Sequence, residues 1–195
     1  MSVQVVVGMQ WGDEGKGKMV DRLAQQADLV VRFQGGDNAG HTVINPYGVF
    51  KLHIVPCGIF HQNCTSLIGT GTVVNLDVLQ EEIQALETAG VDTSSLYLSD
   101  KAHLIMPYHV LQDMAMERRH GIGTTKRGIG PAYADKCLRV NLRAGDLTRP
   151  DALDDRLDQI LPTVNDRCAA LGLPPVAKEA LLEQCRTWAE RFSAR

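Results

Sequence analysis

"VQVVVGMQWGDEGKGKMV", residues 3–20, carries the reading that decides the fold class. A short β-branched run ends in Gly8, which predicts a buried strand closed by a turn. Met19, Val20, Leu23 and Ala24 then recur at helical spacing. Strand, glycine loop and helix in that order are the setting in which a helix N-terminus receives a phosphate. Gly12, four residues, Gly17 and Lys18 fit the P-loop spacing G-x-x-x-x-G-K, but Met19 stands where a Mg²⁺-holding hydroxyl is expected. Gly8, Gly12, Gly15 and Gly17 allow close backbone approach, and Lys16 and Lys18 add cationic donors. Asp13 and Glu14 would repel phosphate alone. A carboxylate is a good Mg²⁺ ligand and general base, so Asp13 is a candidate replacement for the missing hydroxyl.

Working outward, "DLVVRF" (28–33) and "VFKLHIVP" (49–56) read as strands, with "SLIG" (66–69) and "LYLS" (96–99) as further candidates. Leu76, Leu79, Ile83 and Leu86 mark an amphipathic helix from Asn75 to Thr88, and residues 107–119 another. "GIGTTKRGIGP" (121–131) reads as a glycine-rich functional loop, and after Asp151 the pattern is helical twice, broken near "GLPP" (172–175). This alternation predicts an α/β fold: a largely parallel central sheet with flanking helices and a helical C-terminal segment. The organisation expected is residues 1–147 as a nucleotide-binding portion and 148–195 as a helical segment of the same domain. The chain stops within a helical pattern, the ending expected of a fragment.

The net charge of −3 over 195 residues does not favour nucleic acid as a partner, and no apolar run is long enough for a membrane span. Residues 117–143 nevertheless hold 7 basic and 2 acidic side chains, which points to a local anion site. Five cysteines without a C-x-x-C pair read as reduced thiols, the pattern of a cytoplasmic protein. "GGDNAGHT" (35–42) makes a second backbone-lined concavity, in which His41 can move a proton near neutral pH. If its strand and the first are parallel neighbours, the two loops meet at one sheet edge. Histidines 53, 61, 103, 109 and 120 lack metal-ligand spacing. Thr124, Thr125, Lys126, Arg127 and Arg139 offer hydroxyls and cations to a second phosphate.

Taken together, "QWGDEGKGK", "GGDNAGHT" and "GTTKRGIGPAYADK", with "PYHVLQD" and "GDL", resemble adenylosuccinate synthetase over most of residues 3–147. Family members are considerably longer. The resemblance implies a P-loop-like nucleotide-binding fold and GTP-dependent, Mg²⁺-dependent ligation of IMP and L-aspartate through 6-phosphoryl-IMP. It implies Asp13 as general base and Mg²⁺ ligand, His41 as the acid acting on the phosphoryl group, and the Gly40 carbonyl as second metal ligand. Gly12, Asp13, Glu14, Gly15, Lys16, Gly17, Lys18, Gly40, His41 and Thr42 match GTP contacts. Asp13, Glu14, Gly15, Lys16, Asn38, Ala39, Gly40, His41, Thr125 and Arg139 match IMP contacts, with Arg139 serving the partner subunit of a homodimer. Asp37 and Lys126 depart from the common pattern, many relatives having glycine at the latter position, and neither is expected to touch the chemistry. The guanine- and aspartate-recognition segments have no counterpart, so the 195-residue chain alone is expected to be inactive. A generic P-loop NTPase and a noncatalytic phosphate-binding module remain the alternatives.

Overall fold

The computed structural model describes residues 2–9 and 15–192. A parallel sheet runs in the order β1 (Leu29–Gly35), β4 (Thr65–Val74), β5 (Leu96–Leu98), with β6 (His103–Leu104) also pairing parallel to β4. Between β1 and β4 the chain forms an antiparallel hairpin of β2 (His41–Asn45) and β3 (Gly48–Leu52), then a 3₁₀ turn at Cys57–Phe60. The helices are α1 (Lys16–Ala24), α2 (Leu76–Thr88), α3 (Pro107–His120), α4 (Ile129–Leu138), α5 (Pro150–Ala170) and α6 (Lys178–Phe192). The largely parallel sheet with flanking helices is therefore present.

Local chemistry explains several boundaries. The Asn75 side chain accepts the Asp77 and Val78 amides and starts α2, whose buried face is Leu76, Leu79, Ile83 and Leu86. The β1–β4 register slips between Arg32 and Gln34, and Gly71 faces that slip: a Cβ there would collide with the Phe33 carbonyl. The core joins the sheet, α2, α5 and α6, with Trp188 fully buried and its indole N–H donating to Asp77 at 2.8 Å.

Three expectations change. Residues 3–8 form no strand: Val3, Val5 and Val7 are exposed and the run pairs with nothing among the described residues. Its β-branched alternation is a propensity that only a partner edge converts into structure. The strand expected at 49–56 ends at Leu52, because the amides of His53, Ile54 and Val55 turn to a side chain, the Glu82 carboxylate. The loop expected at 121–131 ends at Gly128, where α4 begins.

Candidate active site

Gly12, Asp13 and Glu14 lie outside the described residues. From Gly15 onward the first loop is visible. Gly15 takes a left-handed φ of 81° at the N-cap of α1, and Lys16 opens the helix. Gly17 lies against the second loop so closely that an added Cβ would sit 2.7 Å from His41 Cδ2. The glycine is thus what lets the α1 N-terminus meet His41. Lys18 points outward and is exposed.

The second loop leaves the C-terminal end of β1 as Gly35–Gly40. Asn38, Ala39, Gly40 and Thr42 are exposed, and His41 is half-buried at the start of β2. Burial, then the nearby charges of Arg32 and His53, lower the His41 pKa to about 4, so the ring is neutral at neutral pH. Its Nε2 is buried without a hydrogen-bond partner, an orphaned group of the kind a bound ligand satisfies. Underneath lies Arg32, whose guanidinium donates to the His53 carbonyl at 2.5 Å and to the Gly36 carbonyl. The Glu82 carboxylate accepts the amides of His53 (2.6 Å), Ile54 (3.1 Å) and Val55 (3.0 Å). Burial raises the Glu82 pKa, and those amides pull it partly back. Arg32 and Glu82 thereby fix both flanks of the His41 loop from below.

The third loop joins the second through one ion pair. Asp37, 1% exposed, meets Arg127 Nη1 at 3.3 Å through Oδ2, and the same nitrogen donates to the Asp37 carbonyl at 3.0 Å. Asp37 is therefore structural in this chain: it ties two candidate binding loops together. Tyr133 on α4 reinforces the junction, its hydroxyl accepting the Gly35 amide at 2.8 Å and donating to the Gly71 carbonyl at 2.9 Å. Lys126 adopts φ 58°, the left-handed region in which glycine is unstrained. Its departure from glycine is a backbone matter.

Thr125 is exposed on this third loop. Arg139 is not gathered with it. It caps the far end of the ten-residue α4, about 15 Å along the helix axis from Gly128. Behind α4 lies a network in which the buried Asp135 accepts from the buried His109 and pairs with the partly exposed Arg167. The Met106 amide donates to His109 Nδ1 at 2.9 Å, so Nε2 carries the proton that Asp135 receives at 3.0 Å. Burial, chiefly, keeps His109 well below the usual histidine range. This histidine braces α3, α4 and α5.

Sequence reasoning missed Arg32, Glu82, Tyr133 and the bracing role of His109. Arg32 carried a signal, a cation inside the apolar run "DLVVRF". Among the described residues no group of three or more His, Cys, Asp or Glu could hold a metal ion, and no helix is long and apolar enough to cross a membrane.

The family model of adenylosuccinate synthetase matches residues 5–195. The chain is 51% identical to adenylosuccinate synthetase 1 of Methanosarcina acetivorans over 99% of its own length and 46% of that protein's. It is 48% identical to adenylosuccinate synthetase of Dehalococcoides mccartyi, over 99% of this chain and 47% of that one. The solved structure of fully ligated adenylosuccinate synthetase from Plasmodium falciparum superimposes with a TM-score of 0.80 at 35% identity, covering 93% of this chain and 43% of that one. The chain thus spans under half the length of the curated relatives it matches. Gly17 meets the histidine loop and Arg127 of the basic loop meets Asp37, and the chain belongs to the adenylosuccinate synthetase family.

Proposed function

We propose that this chain supplies the phosphate-facing and IMP-facing part of an enzyme that ligates IMP and L-aspartate at the expense of GTP, as the first half of AMP synthesis from IMP. The observation that carries this reading is the meeting of Gly17 with His41 and of Asp37 with Arg127, which brings three loops into contact. In this reading Asp13 takes the N1 proton of IMP, making O6 nucleophilic toward the terminal phosphate. His41 presents its unpartnered ring nitrogen to the charge that develops on the phosphoryl oxygens. The glycine-lined N-terminus of α1, with Lys16 and Lys18, faces the phosphates of the nucleotide. Thr125 holds the IMP phosphate, and Arg139 reaches the IMP of a partner copy in a homodimer.

This reading includes a Mg²⁺ site of the ligand-poor kind. Gly40 is exposed at the edge of the His41 loop, and a Mg²⁺ held by its carbonyl, by Asp13 and by substrate phosphates needs no cage of three side chains. When bound, such an ion would neutralise charge on the phosphate oxygens.

Ligation proper also requires recognition of guanine and placement of the aspartate amine at C6, and no candidate for either stands in these 195 residues. The test has two arms. IMP should bind the 195-residue chain in a calorimetric titration, and a polypeptide of full family length carrying this segment should form adenylosuccinate from IMP, GTP and aspartate by absorbance. Sustained turnover by the 195-residue chain above its His41→Asn control would overturn the division of labour, and a full-length protein inactive with all three substrates would overturn the reaction.

A further inference from the structure

The loop that carries Thr124, Thr125, Lys126 and Arg127 is built from weakly determined backbone. Gly121, Gly123, Lys126 and Gly128 all have left-handed φ, at 58°, 82°, 58° and 76°. A segment with so many glycines has much conformational freedom to lose before it can present donors to an anion. Two carboxylates on α3 remove that freedom. Glu117 accepts the Gly123 amide at 3.0 Å and the Thr124 amide at 3.0 Å. Asp113, one turn earlier, is buried and accepts the Gly128 amide at 2.9 Å. Residues four apart share a helix face, so a single face of α3 holds both ends of the loop. Gly128 is pressed onto that face, where a Cβ would meet the His109 and Val110 backbone within 3 Å.

We propose that Asp113 and Glu117 are positioning residues that set Thr124 and Thr125 to receive the phosphate of a purine nucleoside monophosphate. The proposal rests on the IMP reading above. Two acids beside an anion site would ordinarily weaken it. Here Glu117 accepts two backbone amides and Asp113 one, and the loop order those bonds supply outweighs the repulsion of the two charges. The bond from Glu117 lies on the exposed side and the bond from Asp113 on the buried side, which makes Glu117 the variant least entangled with folding.

The experiment titrates IMP and, separately, inosine onto the 195-residue chain, with amide exchange at Gly123 and Thr124 followed by NMR. Glu117→Ala should weaken IMP about tenfold, as loss of roughly one hydrogen bond's worth of ordering implies. It should leave inosine unchanged and speed exchange at both amides. Glu117→Gln keeps an acceptor oxygen and should restore IMP binding. Asp113→Asn keeps its acceptor too and should bind IMP like the parent. Parental IMP affinity in Glu117→Ala sinks the proposal, as does equal weakening of IMP and inosine or a tenfold loss in Asp113→Asn. A parent chain with no affinity for IMP sinks the IMP reading itself, and the positioning claim with it.

Discussion

The loop from Gly36 to His41 is held from beneath by a half-buried arginine and a buried glutamate that grip backbone groups on both its flanks. The loop from Gly121 to Gly128 is held by two carboxylates on a single helix face and, at Arg127, by the Asp37 side chain of the first loop. In the first, the restraint is desolvated and the tip carries an unpartnered ring nitrogen, an arrangement suited to a group that must act on charge appearing only in transit. In the second, Thr125 and Lys126 are exposed and the Glu117 restraint is in contact with solvent, an arrangement suited to taking up a stable dianion. The contrast separates chemistry from capture. Changes at His41 should act on rate, and changes in the second loop or in its Asp37 tie on affinity.

The largest effect should come from His41→Asn in a full-length polypeptide. Loss of a group that stabilises developing charge lowers kcat by about 10²–10³-fold, with the KM values for GTP and IMP moving far less. Steady-state kinetics with both nucleotides varied decides it. Equal losses in kcat and in GTP affinity would make His41 a binding residue and erase the contrast.

Glu82→Ala comes next, and its effect falls on stability. Three amides near the core lose their acceptor at once, and at roughly 1 kcal/mol or more apiece the cost is about 3 kcal/mol. Urea unfolding of the 195-residue chain should show the midpoint falling with little change in slope. An unchanged midpoint would mean that residues 53–55 find other partners, and the claim that this loop is held from beneath would fail.

Asp37→Asn cuts the ion pair between the loops while keeping the side chain's size. Arg127 is partly exposed, so the coupling is modest, about 1 kcal/mol. The KM for IMP should rise a few-fold with kcat nearly constant. A matching loss in the Arg127→Gln single variant and no further loss in the double variant would confirm that the two act as one unit. Additive losses would show that each loop stands alone.

How much of this was legible beforehand follows the same divide. Strand, helix and loop order was readable because β1, α2, α3, α5 and α6 each carry a hydrophobic period or a cap, Asn75 being the clearest. The first strand misled, since Val3, Val5 and Val7 state a propensity and not a partner. The residues proposed to face ligands were visible as glycines, His41 and a cluster of cations. The residues that hold them were not, because Arg32 reaches 21 positions along the chain and Glu82 reaches 29. Contacts that distant leave no local pattern. Asp37 is the plainest case: in the sequence it marks only a departure from the family pattern, and folding buries it against a cation 90 residues away.

The smallest effect expected is at Lys126, and it probes the capture loop by relaxing it. Lys126 sits at φ 58° with its amide 3.3 Å from the Thr124 hydroxyl, in a turn that closes over the exposed Thr125. A side chain in the left-handed region costs about 1 kcal/mol that glycine avoids, while glycine gives back part of that gain through the greater entropy of its unfolded chain. Lys126→Gly should therefore raise the unfolding free energy by about 0.5 kcal/mol or leave it level. The charge it removes is exposed, so its direct pull on a phosphate is weak and screened by salt. IMP affinity at physiological ionic strength should change less than about twofold. Thermal unfolding and IMP titration on the same sample measure both quantities. A clear loss of stability would show that the lysine side chain supports the turn in some way its backbone angle conceals. A large loss of affinity with stability intact would make Lys126 a phosphate ligand and move it from the frame of the loop to its working face.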